Sequence, residues 1–270
     1  VFAGRVDLNS VTSPTQKVWA GEGVTPVVLV HTDWTWSDTD KYLGIKGGKA
    51  RSSHAHMDAG SFVYDAYGVR WSMDIGRQDY ATLEVALKAL GGNLWTYTQA
   101  SLRWEVSRLN NFFHSTLTVN DAKHRVEGFA TLEQTINTAT EQGGTFDLSP
   151  VLEDQVASAM RTVKIVNDKD LKVIDAIRTR TDRSAKIRWT MVTPAAPAVE
   201  NDRIVLTSNG KTMYLTAAEE GGTQIVYKTF STDPVHSYDD PNPGIYLVGF
   251  EATVPADKWA TFTTTLSPGN

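Results

Sequence analysis

The chain has 270 residues, 41% hydrophobic and 21% charged, with a net charge of -5 and no cysteine. That length buries a sizeable core, and all-β domains often reach this size as one unit. The acidic balance argues against nucleic acid as the main partner, and the missing thiols exclude disulfides and thiolate metal sites.

No apolar run approaches the ~18 residues that a bilayer-spanning helix needs. No leader peptide is visible. The sequence starts at Val1 rather than Met, which reads as a processed product or a fragment of something longer. Eight Trp and nine Tyr suit core and edge packing first, and stacking on sugar rings second.

Residues 1–25 show little periodicity and read as a lead-in. Residues 26–32 are the first predicted strand. Trp34 and Trp36 alternate after it, and Lys41–Lys46 is a second strand that ends at Gly47-Gly48. The loop 47–53, with Lys49 and Arg51 next to Lys46, reads as a mobile, basic lip.

Ser53-His54-Ala55-His56-Met57-Asp58-Ala59-Gly60 holds two of six histidines. On an extended strand, positions i and i+2 share a face, so both imidazoles would point one way. Asp58 reads either as a turn former ahead of Gly60 or as a ligand or supporting acid. A hairpin turning at Gly68 leads to Asp74, where a carboxylate can fold back toward the histidines. A strand carrying His114 would bring a third imidazole. Two His and one Asp with an open fourth position is ordinary zinc chemistry. His31, His124 and His236 read as structural.

Residues 79–90 are the one convincing helix: Tyr80, Leu83, Leu87 and Leu90 recur at helical spacing, Asp79 caps the start and Gly91 ends it. From about residue 131 strands and turns recur to the end. Asn167–Asp170 and Asn209-Gly210 read as hairpin connections. Ile187, Trp189 and Met191 alternate with polar neighbours as a half-buried strand should. The predicted fold is all-β: one large antiparallel β-sandwich of the super-sandwich type over residues 1–270, with one short helix.

Three stretches together, His54–Phe62 with the preceding Ser53, Met73-Asp74-Ile75-Gly76 with Tyr80, and Asn110–Val119, resemble the heparinase II/III-like family of polysaccharide lyases. The resemblance covers about residues 26–125. It implies a β-sandwich that follows an N-terminal α/α toroid, of which no matching segment is present here. It implies zinc held by His56, Asp74 and His114, with His54 facing an acidic polysaccharide and acting in catalysis. It implies β-elimination at a uronic acid and a periplasmic or secreted bacterial protein. Tyr80, Arg108 and Asn110 are then the expected binders of carboxylate, sulfate or hydroxyls. Here the resemblance separates two histidines that strict alternation would aim together. A non-catalytic carbohydrate-binding sandwich is the competing expectation. A cupin-like metal oxygenase is a third, although Asp58 stands where that class wants Glu.

Overall fold

Strict alternation of inward and outward side chains builds the largest sheet of the computed structural model, which describes residues 12–35 and 37–269. Every second residue of two neighbouring nine-residue strands is buried. In chain order the strands are β1 (Val18–Gly21), β2 (Val27–His31), β3 (Tyr42–Lys46), β4 (Phe62–Ala66) and β5 (Val69–Ser72). The helix α1 (Tyr80–Ala89) and β6 (Leu117–Val119) come next. Then follow β7 (Thr131–Asn137), β8 (Glu141–Asp147), β9 (Ser158–Val166), β10 (Asp170–Arg178), β11 (Ala185–Thr193) and β12 (Ala196–Val199). The last are β13 (Ile204–Ser208), β14 (Lys211–Glu219), β15 (Val226–Phe230), β16 (Tyr246–Val254) and β17 (Trp259–Pro268).

These strands form three antiparallel sheets: β1-β2-β3-β4-β5, β12-β13-β14-β17-β10-β9-β8-β7, and β15-β16-β11-β6. The eight-stranded sheet is one layer. The other two lie against it and meet each other where β5 abuts β11. Beyond β5, the Met73 N–H donates to the Val192 carbonyl at 2.9 Å across that seam. One hydrophobic cluster fills the space between the layers, with Val28, Tyr64, Trp71, Phe146, Val163, Trp189, Phe250 and Phe262 among its members. Trp189 stacks on Phe250 with ring centroids 5.9 Å apart. This is the expected all-β sandwich.

A second cluster gathers Leu83 and Leu87 of α1 with Met57, Leu94, Trp104, Val106, Leu109 and Val126. Asp79 caps α1 by accepting from the Thr82 N–H at 2.9 Å. Leu90 does not join the buried stripe: it is 59% exposed at the C-cap. Among the described residues no helix is long and apolar enough to cross a membrane.

Several local expectations hold. Asn209 and Gly210 are both left-handed (φ 50° and 71°), as a two-residue hairpin turn requires. Asn167 and Asp168 are left-handed in the same way, although the β9–β10 loop is one residue tighter than expected, because Asp170 already pairs with Val166. Others do not hold. The lead-in contains a strand, β1; residues 1–11 lie outside the described residues. The first predicted strand stops at His31, one residue short, and residues 32–35 bend; Trp36 lies outside the described residues. The basic lip is pinned, not loose. Gly48 and Ala130 exchange backbone hydrogen bonds at 2.9 Å, and the Arg51 N–H donates to the Val126 carbonyl.

Alternation in β9 and β10 also buries a charge pair. Arg161 and Asp175 are direct cross-strand partners, both fully buried, joined by two hydrogen bonds of 2.7 and 3.0 Å. Arg161 Nη1 also donates to the Gly60 carbonyl at 3.1 Å and the Ser115 carbonyl at 3.3 Å. Removing one partner of such a pair leaves an uncompensated buried charge. Asp175→Ala should therefore cost about 3–5 kcal/mol of unfolding free energy, read as a lowered midpoint in urea; an unchanged midpoint would refute the role given to the pair.

His124 is buried, with Nε2–H donating to the Leu117 carbonyl at 2.8 Å and Nδ1 without a partner among the described residues. Burial pulls its pKa down to about 4, against the raising effect of that hydrogen bond. The unfolded chain titrates near 6.5 and so binds the extra proton between about pH 6.5 and 4. Stability therefore falls on acidification through that window, by up to ~1.4 kcal/mol per pH unit for one group. His124→Gln should flatten the dependence relative to wild type, whatever it costs at pH 7. Parallel stability curves between pH 7 and 4.5 would contradict this.

Candidate metal centre and substrate face

The segment after β3 leaves the sheet as turns rather than as the expected strand. His54 has left-handed backbone (φ 61°), so the same-face argument for His54 and His56 does not apply. The two rings diverge. His54 is exposed, while His56 turns toward His114, ring centroids 5.4 Å apart.

The Met57 N–H donates to the Leu109 carbonyl at 2.9 Å, and the Gly60 N–H to the Lys46 carbonyl at 2.8 Å. Gly60 sits at φ 78°, and a Cβ there would meet Leu148 at 2.8 Å. Only glycine lets this loop close down on the sheet. Thr116 Oγ1 donates to the Ala59 carbonyl at 2.6 Å, tying the His56 loop to the His114 segment.

His114 is not on a strand either. It follows a short three-ten turn at Asn111–Phe113 as an extended residue, two residues ahead of Thr116 and β6. Its carbonyl accepts from Thr190 Oγ1 at 2.8 Å. Its ring is buried. Nε2–H donates to the Arg108 carbonyl at 3.1 Å, and Nδ1 faces Asp74 Oδ2 at 2.8 Å. Asp74 lies two residues past β5, where its Oδ1 accepts from the Gly76 N–H at 2.7 Å.

Burial opposes charge on both members of this pair. For Asp74 the neighbouring His114 and the Gly76 N–H outweigh it, so the carboxyl is held well below the usual range. For His114 the carboxylate outweighs it, and the ring pKa is raised. His56 goes the other way: burial, then the adjacent His114, pull its pKa down to about 4. His56 is neutral at pH 7, with a lone pair to offer.

One ligand atom each from His56, Asp58 and His114 lies within 4.8 Å of the other two. Asp58 is engaged by Lys46, whose Nζ lies 2.8 Å from both carboxylate oxygens. Asp74 touches His114 directly. The donor set of two imidazoles and a nearby carboxylate suits zinc. His114 is also held as metal-ligating histidines are, one nitrogen pinned by a backbone carbonyl and the other turned into the cluster.

Beside this cluster lies an aromatic face. His54 stacks on Tyr80 with centroids 5.4 Å apart and meets Trp95 edge-on at 5.1 Å. Tyr80 and Trp95 are 5.3 Å apart. The His54 N–H donates to the Tyr97 hydroxyl at 3.2 Å. A groove of about 550 Å³ runs past Trp95 and Tyr97 between Arg51 and Arg125.

Arg108 and Asn110 lie within the chain's own hydrogen bonding. The Arg108 guanidinium donates to Asn242 Oδ1 at 2.8 and 3.1 Å and to the Arg77 and Pro241 carbonyls. The buried Asn110 amide donates to the Trp104 and Val106 carbonyls and accepts from the Phe112 N–H at 3.0 Å. Both brace the segment that carries His114. Sequence reasoning missed Arg103, Trp95 and Arg161, and it placed Lys46 in the basic lip without its partner Asp58. The only signal for Arg103 was its place among Trp95, Tyr97 and Trp104.

No curated protein matches the chain. Solved structures of similar fold include the heparinase III BT4657 gene product, 13% identical with a TM-score of 0.68 over 96% of this chain and 36% of that one. Heparan sulfate lyase HepC from Pedobacter heparinus is 15% identical, TM-score 0.68, over 96% of this chain and 37% of that one. A structure named heparinase III is 15% identical, TM-score 0.64, over 96% and 38%. At such identities the likeness is one of fold, and the chain spans little more than a third of each neighbour's length. The family described as Heparinase II/III-like, C-terminal matches residues 27–256, and the chain belongs to that family.

Proposed function

We propose that this chain is the β-sandwich part, as one domain, of a polysaccharide lyase that cleaves uronic-acid glycans by β-elimination. The observation that carries the reading is one junction in the fold. There, His56, Asp58, Asp74 and His114 gather beside an exposed His54 that is stacked on Tyr80. The names of the structural neighbours, heparinases and a heparan sulfate lyase, support it. The remaining parts of the reading are an N-terminal α/α toroid as partner, a periplasmic or secreted location, and an acidic polysaccharide of the heparan sulfate or alginate type.

The C5 proton of a uronate is poorly acidic while the adjacent carboxylate is charged. Elimination therefore needs donors at the developing enolate oxygens, a base for the proton and an acid for the departing 4-oxygen. His54 is the catalytic group of this chain. Its exposed ring exchanges that proton or holds the carboxylate, and Tyr80 binds beside it through its hydroxyl. Arg108 and Asn110 serve the substrate indirectly, by fixing the backbone around His114. His56, Asp74 and His114 would hold zinc, with Asp58 as a supporting acid kept in place by Lys46. When bound, the ion supplies a fixed positive charge and ties together the loops beside the His54 face. His114 must give up the Nδ1 proton for this, so zinc affinity should fall on acidification.

The test is zinc content and turnover in the full-length protein. His56→Ala and Asp74→Ala should lose zinc by elemental analysis and melt earlier; full metal content in either would break the ligand assignment. His54→Ala should keep its zinc and lose roughly 100-fold or more in the rate of unsaturated-product formation. If the wild type binds uronate polysaccharides but yields no ultraviolet-absorbing product, the non-catalytic carbohydrate-binding alternative replaces the lyase.

A further inference from the structure

Arg103 is fully buried beside the metal cluster, close enough for its charge to oppose protonation of His56. Among the described residues no carboxylate pairs with it. Carbonyls and aromatic groups, the Tyr80 and Tyr97 phenols among them, surround its charge, and Nε has no hydrogen-bond partner among the described residues. Trp95, Tyr97 and Trp104 surround the guanidinium, with centroids 5.8, 4.8 and 5.3 Å away. The Tyr80 phenol is close enough to interact with it electrostatically.

An isolated cation in such a place is costly, because water is gone and no counter-charge replaces it. Cation–π contacts offset part of that cost. Where its other donors go is informative. Nη2 donates to the Ala55 carbonyl at 2.9 Å, at the residue between His54 and His56. Nη1 donates to the Leu94 carbonyl at 3.0 Å, next to Trp95. One guanidinium thus ties the left-handed turn at His54, the loop of Trp95 and the start of α1 around Tyr80. Left-handed backbone at a non-glycine residue persists only where its surroundings over-determine it. The Tyr97 hydroxyl does this at the His54 N–H and Arg103 at the Ala55 carbonyl.

We propose that Arg103 is the positioning residue of the substrate face: it holds His54 and Tyr80 in register, and its uncompensated charge biases that face toward the carboxylate of an acidic sugar. This rests on the uronate-lyase reading above and adds a residue to it. The Arg103 side chain does not touch the sugar. It acts through the backbone it holds and through a field that low-dielectric surroundings leave unscreened.

The experiment compares wild type, Arg103→Met and Arg103→Lys in the full-length protein, on a heparan sulfate oligosaccharide and on its uronate methyl ester. Melting curves and zinc content are checked first. Binding of both ligands is measured by calorimetry and turnover by product absorbance. Arg103→Met should lose roughly 100-fold in kcat/KM on the free acid but less than tenfold on the ester. Affinity for the acid should weaken in parallel, and Arg103→Lys, which keeps the charge, should recover part of both.

Equal losses on acid and ester would reduce Arg103 to a packing role and overturn the proposal, as would no loss at all. If Arg103→Met does not fold, Arg103→Lys must still show a larger loss on the acid than on the ester, or the proposal falls. Wild-type protein that binds the acid in an Arg103-dependent way without cleaving it would sink the lyase reading and leave this inference standing. Wild-type protein that neither binds nor cleaves either ligand would sink both.

Discussion

The buried ion pair between Arg161 and Asp175 is the constraint on which the site depends. Two strands in the middle of the largest sheet place opposite charges at facing inward positions. A buried pair of this kind is a poor investment in stability alone, since apolar residues of the same volume often do as well. What Arg161 adds is reach. Its remaining donor bonds the carbonyls of Gly60 and Ser115, which follow Asp58 and His114 by two residues and one. The sheet's interior thus fixes the separation of two loops that leave different sheets.

The seam between the five- and four-stranded sheets explains why the loops arrive at the same place. β5 ends and β6 begins beside β11, and the ladder across them is completed by irregular backbone. Met73 bonds Val192, Thr190 bonds Thr116, and Ser115 Oγ accepts from the Val192 N–H at 3.0 Å. Thr190 and Val192 are consequently buried although their strand position points them away from the main core. Asp74 and His114 flank this ladder on either side, and His114 stays tied to it by its carbonyl, which accepts from Thr190 Oγ1 at 2.8 Å. A metal bound between them would be held by backbone that the sandwich has already ordered, which is the preorganisation a coordination site needs.

Much of this was legible in the sequence, where local chemistry decides structure. Asn209-Gly210, the Asp79 cap and the alternation of Ile187, Trp189 and Met191 are each settled by a few neighbouring residues. The His56–Asp74–His114 grouping came from a family resemblance rather than from periodicity, and the periodic argument for it was mistaken in detail. It required strands at residues 54–56 and 114, and both are irregular, because a sheet seam, not a strand face, brings them together. Arg108 and Asn110 illustrate the opposite limit. An arginine near a site reads as an anion binder, yet its acceptors, Arg77, Pro241 and Asn242, lie up to 134 residues away and leave no local trace.

The left-handed turn at His54 divides the site between two structural regimes. On one side, His56, Asp58 and His114 are tied through Gly60, Thr116 and Ser115 to the sandwich core. On the other, His54, Tyr80 and Trp95 rest on the smaller cluster of α1, Trp104 and Leu109, with Arg103 inside it. Alternating strand geometry would have fused both histidines into one coordination sphere. A single residue of positive φ instead gives the chain an imidazole neutralised by burial and another left to solvent, two positions apart. The two sets are nevertheless coupled at Met57, which sits in the smaller cluster with its N–H on the Leu109 carbonyl, and at His114, whose Nε2–H reaches the Arg108 carbonyl.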